Sequence, residues 1–86
     1  MSENPHDRIK RLKMRSWRRG IKEMDLVLGP YSDTQLAGLS EAQILLYDAL
    51  LEENDHDLYG WIAGHIPTPD AYLDLITRIS KHAFNT

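Results

Sequence analysis

Apolar residues recur along this chain at helical spacing, and sustained alternation is absent. Pro5 suits the first turn of a helix capped by Asn4, and Ile9, Leu12 and Ser16 then follow one face. A second stripe, Trp17, Ile21, Met24 and Leu28, has the spacing i, i+4, i+7, i+11 and predicts an amphipathic helix running on from Trp17, interrupted or kinked at Gly29-Pro30. Ser40 with Gln43 three residues on is a capping box, which opens a third helix through about Glu52. Its apolar side chains go most of the way round, from Ala42 and Ile44 to Leu50 and Leu51, so it is expected to be the central, most buried helix.

A fourth helix is expected from Asn54 or Asp55, carrying Leu58, Tyr59, Trp61 and Ile62 and ending at Gly64. The Ile66-Pro67-Thr68-Pro69 segment reads as a rigid connector, with Thr68 as N-cap and Pro69 at the first position of a fifth helix. That helix would bury Tyr72, Leu75, Ile76 and Ile79 and carry Arg78, Lys81 and His82 near its C-terminal end, where cations are favoured. With no Asn-Gly or Asp-Gly hairpin turn, the pattern is all-α: a compact, single-domain five-helix bundle over residues 1–86, with flexible ends at 1–5 and 83–86. Trp17 and Trp61 lie at helical spacing from other apolar residues and read as core rather than ligand-stacking residues.

Length limits what such a bundle can do. A domain of 86 residues buries only somewhat over ~60% of the surface its unfolded chain exposes, so no deep substrate cavity is expected. The absence of cysteine excludes disulfides, thiol catalysis and thiolate metal sites. His6, His56, His65 and His82 share no metal-ligand spacing, no nucleophile is paired with a base, and no Gly-rich phosphate loop follows a strand, so an enzyme is not expected. The apolar runs are far shorter than the ~18 residues of a membrane span, and no secretory signal is visible. A cytoplasmic, bacterial protein without membrane insertion is the expectation. Glu3 and Asp7 ahead of the basic residues argue against a cleaved mitochondrial leader.

Charge is strongly segregated. Between residues 8 and 22 the basic side chains Arg8, Lys10, Arg11, Lys13, Arg15, Arg18, Arg19 and Lys22 are uninterrupted by Asp or Glu. From Glu23 to Asp74 the pattern inverts, with eleven carboxylates and no Lys or Arg. A field of this shape steers association even though the net charge is only -3. Eight clustered cations also suit phosphates, but the pI near 5.7 and the lack of a recognition helix with polar base-reading side chains set nucleic acid behind a protein partner.

The end of the basic run carries the candidate site. On a helix continuous from Trp17, at ~100° per residue, Arg19, Glu23 and Leu26 fall within about 60° of one another, opposite Trp17, Ile21, Met24 and Leu28. They are therefore expected to be exposed together, flanked by Arg18 and Lys22. An Arg fork suits bidentate recognition of a carboxylate or phosphate, and a Glu four residues later can orient that Arg or accept from a partner. Gly20 costs about 1 kcal/mol against Ala inside a helix and so requires a reason, either close approach of another backbone or a helix junction. The plainer alternative is a solvated Arg19–Glu23 surface pair, with Gly20 merely ending the first helix.

Trp17-x-Arg19-Gly20-x-x-Glu23-x-Asp25, followed by Leu28-Gly29, Leu39-Ser40 and Asp57-Leu58-Tyr59-x-Trp61-Ile62, resembles the succinate dehydrogenase FAD assembly factor family, the flavinylation factors also called SdhE. The likeness runs over roughly residues 8 to 80; Ile21 stands where Met is common and Pro30 where many relatives carry another residue. It implies a small five-helix protein that binds the flavoprotein subunit of succinate dehydrogenase, and in some members fumarate reductase, and promotes covalent attachment of FAD to a histidine there. The implied contact residues are Arg19, Gly20 and Glu23, with no cofactor held tightly by the helper itself. Catalysis would belong to the flavoprotein and its flavin, aided by docking that positions the reacting groups. A nucleic-acid-binding or antitoxin-like regulatory role is the alternative, and the residues give the antitoxin role no separate support.

Overall fold

The computed structural model describes residues 3–84, and every regular element in them is helical. Helix α1 spans Pro5–Trp17, α2 Lys22–Gln35, α3 Glu41–Leu50, α4 Asp55–Ala63 and α5 Leu73–Phe84, with 3₁₀ turns at Leu36–Gly38 and Asp70–Tyr72. The molecule measures 39 × 26 × 26 Å. Pro5, Ala83 and Phe84 belong to helices, while the rest of the expected flexible ends falls partly at residues 1–2 and 85–86, outside the described residues.

Local signals open and close most helices as the sequence predicts. Asn4 accepts from the Asp7 N–H at 2.8 Å, ahead of Pro5. Ser40 and Gln43 make both bonds of the capping box, and Asn54 accepts from the Asp57 N–H at 2.9 Å. Gly64 ends α4 at φ +80, with the His65 N–H reaching Gly60 O at 2.8 Å and the Gly64 N–H reaching Trp61 O, the paired bonds of a Schellman close. Ile66 then folds back over Gly60, where a Cβ would come within 2.7 Å of it. At α5 the start differs from expectation. Pro69, not Thr68, precedes the helical turn, because Tyr72 N–H bonds to Pro69 O at 2.9 Å and winds a 3₁₀ turn before Leu73.

The stripe from Trp17 does not form one helix. α1 stops at Trp17 and α2 begins only at Lys22, so the expected second helix is divided between two elements. Gly29-Pro30, expected to interrupt it, lies inside α2. Pro30 forfeits the backbone bond its N–H would have made, but burial of Val27, Leu28, Tyr31 and Ser32 on either side holds the helix together. Gly29 is buried because the Trp17 indole lies on it; a Cβ there would meet the ring at 2.4 Å. Trp17 is accordingly a cross-brace rather than a core residue, 41% exposed, with Nε1 donating to Asp33 at 3.3 Å. Trp61 is half-buried and packs on the core beside Tyr72, ring centroids 5.8 Å apart.

The core gathers Leu12 from α1, Met24 and Leu28 from α2, Tyr47 and Leu50 from α3, Leu58 from α4 and Ile79 from α5, all without exposure. Each such aliphatic side chain contributes about 1.5–3 kcal/mol on burial. α2, not α3, is the central element: α3 buries only Ile44, Tyr47 and Leu50, while Leu45 is 55% exposed. Apolar content all round a helix does not bury it when the bundle covers one side only. Tyr47 is tied to α1 by Ser16 Oγ at 2.7 Å, and burial pushes its phenol well above the usual range.

α1 and α3 are also joined by a row of ion pairs. Arg8 takes Glu41 at 2.6 and 2.8 Å, Arg11 takes Asp48 at 2.8 and 3.1 Å, and Arg15 lies 3.5 Å from Asp48 and 3.3 Å from Glu52. The partners ascend together, so the two helices run in the same direction. Much of the segregated charge is thus neutralised within the fold.

Candidate partner-docking site

The corner between α1 and α2 is built from four residues, Arg18 to Ile21. Arg18 leaves the helix with its N–H still reaching Arg15 O at 3.4 Å, Gly20 turns at φ +93, and Ile21 is extended as it enters α2. A side chain at that φ is strained by its own backbone, whereas the space around Gly20 is open, with nothing within 4 Å of an added Cβ. Gly20 therefore marks a helix junction. Asp25, in the first turn of α2, accepts from the Arg19 N–H at 2.8 Å and pins the corner from the other side.

Arg19 does not share a surface with Glu23 and Leu26, because the expected continuous helix is absent. Its side chain, 10% exposed, turns toward the junction of α3 and α4. Nε donates to Asp55 Oδ1 at 2.9 Å, and the two terminal nitrogens donate to the carbonyls of Leu51 and Glu53, the latter at 2.8 Å. The fork that suited an external anion is filled from within. Carbonyls at a helix C-terminus and in the turn beyond it lack partners within the helix, and Arg19 supplies donors to two of them, Leu51 O and Glu53 O.

Five of the six candidate residues do lie at the surface. Gly20, Arg18, Lys22 and Glu23 are exposed, and Leu26 is 59% exposed. Glu23, in the first turn of α2, is favoured there by the helix dipole and makes no side-chain hydrogen bond or ion pair among the described residues. Beside it opens a cleft of about 330 Å³ lined by Ile21, Glu23, Asp55, His56 and Tyr59. A second cleft, about 480 Å³, lies on the Arg18 side against Met14 and the end of α3.

Ile21, His56 and Tyr59 were not expected at this site. Ile21 belongs to the corner itself, whereas His56 and Tyr59 come from α4, more than thirty residues away, and only tertiary contact brings them beside it. One partial signal was legible: Arg11 and Arg15 are four residues apart, as are Asp48 and Glu52, the carboxylates they meet. Among the described residues no three His, Asp or Glu side chains converge to hold a metal ion. Among the described residues the corner presents a carboxylate and two cations without internal partners, Glu23, Arg18 and Lys22, with apolar side chains around a glycine, a set suited to docking another protein.

A family model described as flavinator of succinate dehydrogenase matches residues 10–83. The chain belongs to that family. Among its curated relatives, the FAD assembly factor SdhE of Legionella pneumophila (strain Lens) is 37% identical over 62 residues, covering 72% of this chain and 78% of the relative. The mitochondrial succinate dehydrogenase assembly factor 2 of Drosophila grimshawi is 35% identical over 82 residues, 92% of this chain and 56% of the relative. That of Aspergillus flavus is 42% identical over 60 residues, 70% of this chain and 20% of the relative. The chain thus spans about half, or less, of the length of these mitochondrial relatives. The family match includes the whole corner and both clefts. No helix among the described residues is long and apolar enough to cross a membrane.

Proposed function

We propose that this protein is an assembly factor that docks on the flavoprotein subunit of succinate dehydrogenase and promotes covalent attachment of FAD to it. One observation carries the reading: Glu23, without an internal partner among the described residues, lines a cleft with Ile21 and Tyr59 beside the Gly20 corner, within the segment matched by the flavinator family. Glu23, Gly20, Lys22, Arg18 and Leu26 supply the contact surface. Arg19 acts indirectly, by holding the corner against α3 and α4.

FAD belongs to the partner, and the helper holds none of its own. Bond formation needs the acceptor histidine next to the isoalloxazine methyl group and stabilisation of the negative charge on the reduced flavin, and positioning of this kind lowers barriers by on the order of several kcal/mol. The flavoprotein and its flavin carry out that chemistry, and this protein, which is not itself an enzyme, holds the arrangement and leaves. The same surface would serve a fumarate reductase flavoprotein of like shape. The bacterial cytoplasm is the expected compartment, in keeping with the SdhE relative. Nucleic acid is the weaker reading, since Arg8, Arg11, Arg15 and Arg19 are engaged with internal carboxylates.

The test is covalent flavin fluorescence of the flavoprotein subunit in a denaturing gel, in a strain lacking this gene and complemented with the intact chain or with Glu23→Ala. Restoration by the intact chain and failure by Glu23→Ala, both present at equal level, supports the proposal. Unchanged fluorescence in the deletion strain overturns it.

A further inference from the structure

Glu53, in the turn between α3 and α4, is held from two directions. Its carbonyl accepts from a terminal nitrogen of Arg19 at 2.8 Å, and its carboxylate accepts from the Tyr72 hydroxyl at 3.1 Å. One residue thus links the α1–α2 corner to the start of α5, since Tyr72 closes the 3₁₀ turn that leads into that helix.

The turn does little by itself to fix its carbonyls. The Leu51 N–H still makes an α-helical bond, to Tyr47 O at 3.1 Å, but the Glu52 and Glu53 N–H groups reach back only three residues, to Ala49 O and Leu50 O. Among the described residues no backbone N–H reaches Leu51 O or Glu53 O, so side-chain donors from outside the turn set where they point. Tyr72, by contrast, is a fixed arm. Its N–H bonds to Pro69 O at 2.9 Å, and its ring, half-buried against the core, packs beside Trp61. A phenol donating to a carboxylate makes a charge-assisted bond, stronger than a neutral one, and Glu53 has no other side-chain partner among the described residues.

At the other end of the link, Arg18, Gly20, Lys22 and Glu23 are all exposed, so packing of their own side chains does not fix the corner. The Arg19 side chain does, through its donors on Leu51, Glu53 and Asp55, together with the Arg19 N–H on Asp25. Resting on the docking function above, we propose that Tyr72 is a positioning residue for this corner. By holding the Glu53 side chain it fixes the turn, the turn presents its carbonyl to Arg19, and Arg19 keeps Gly20 and Glu23 in the arrangement that meets the flavoprotein. A surface ordered before contact loses less entropy on binding, which is how a residue outside the contact raises affinity.

The test is calorimetry of the intact chain and its variants with the purified flavoprotein subunit, alongside amide chemical shifts of the free proteins. Tyr72→Phe keeps the ring beside Trp61 and removes only the hydroxyl; it should weaken binding about three- to tenfold, the usual reach of coupling through linked side chains. Glu53→Ala should do the same, and the two changes together should weaken binding no further. Glu53→Gln, whose amide oxygen still accepts from the phenol, should bind within about twofold of the intact chain. In Tyr72→Phe the amides of Arg19, Gly20 and Ile21 should shift, which a change confined to the start of α5 would not cause. With Arg19→Lys, which loosens the link at its other end, Tyr72→Phe should have no additional effect on affinity. The proposal is overturned if Tyr72→Phe binds as tightly as the intact chain, if its effect persists undiminished with Arg19→Lys, or if Glu53→Gln loses as much as Glu53→Ala. Failure of the intact chain to bind at all would overturn the docking function as well, whereas binding that is indifferent to Tyr72→Phe overturns this proposal alone.

Discussion

Arg19 and Asp55 lie 36 residues apart in sequence and 2.9 Å apart in space, with both side chains largely buried, at 10% and 15% exposure. The pair joins the α1–α2 corner to the start of α4, and the same guanidinium donates to the Leu51 carbonyl at the C-cap of α3 and to the Glu53 carbonyl in the turn that follows. Removing Arg19 strands the Asp55 carboxylate and the Glu53 carbonyl, while the Leu51 carbonyl keeps a bond from Arg15 at 3.3 Å. Breaking a fully buried pair costs ~3–5 kcal/mol; with some solvent access here, Arg19→Ala is expected to cost about 2–4 kcal/mol, measured by urea unfolding. Arg19→Lys should recover only part, because one ammonium cannot reach three acceptors. An unfolding free energy within error of wild type would contradict the anchoring role.

Glu23→Ala should behave in the opposite way. With no internal partner to lose among the described residues, its stability should stay within about 0.5 kcal/mol of wild type, while, on the proposed function, affinity for the purified flavoprotein subunit, read by calorimetry, falls about tenfold or more. Equal affinity for the two proteins would remove Glu23 from the interface.

Gly20→Ala is expected to destabilise by about 1–2 kcal/mol, the cost of left-handed backbone for a side-chain-bearing residue. Because nothing lies within 4 Å of the added Cβ, Gly20→Leu should cost about as much as Gly20→Ala, whereas β-branched Val is disfavoured further by the positive φ itself. Thermal melts of this series test whether the backbone, rather than crowding, sets the requirement: a steep dependence on side-chain volume would argue for crowding.

Trp17 and Gly29 are expected to show a reversal of sign. In the intact chain Gly29→Ala drives a methyl into the indole, 2.4 Å away, and overpacking of this kind costs about 1–3 kcal/mol. That should outweigh the gain of about 1 kcal/mol in helix propensity. In a Trp17→Ala background the clash is gone and the same substitution should stabilise. A double-mutant cycle by denaturant unfolding would show the coupling, and additive effects would mean that the indole does not rest on Gly29.

Acid should loosen the α1–α3 seam. The hydrogen bond from Arg11 holds the Asp48 carboxyl below its ordinary range, and that from Arg8 does the same for Glu41. A carboxyl with a lowered folded pKa contributes stability that is fully present above its unfolded pKa and is lost as pH falls through the folded value. Unfolding midpoints should therefore hold steady from pH 7 to about 5 and drop below about 4, the ordinary carboxylate range. Asp48→Asn should start lower at pH 7, by ~1 kcal/mol for a partly exposed pair, and fall less steeply in acid. Parallel acid limbs for the two proteins would show that the seam does not titrate.

The sequence by itself determined the elements. Asn4-Pro5, the Ser40–Gln43 box, Asn54 and Gly64 act through bonds within a turn of their own position, so short-range chemistry states where those helices begin and end. The motif residues, too, were legible as a group. What only the tertiary structure decided was which way each of them faces. Periodicity assumes one unbroken helix, and Gly20 at φ +93 breaks it, which turns Arg19 inward and Trp17 onto Gly29. Likewise, a run of arginines reads as a free basic surface until the fold supplies Glu41, Asp48, Glu52 and Asp55 opposite it. A charge's partner is set by distance in space, and separations of 32 to 37 residues leave that distance to the packing of the core.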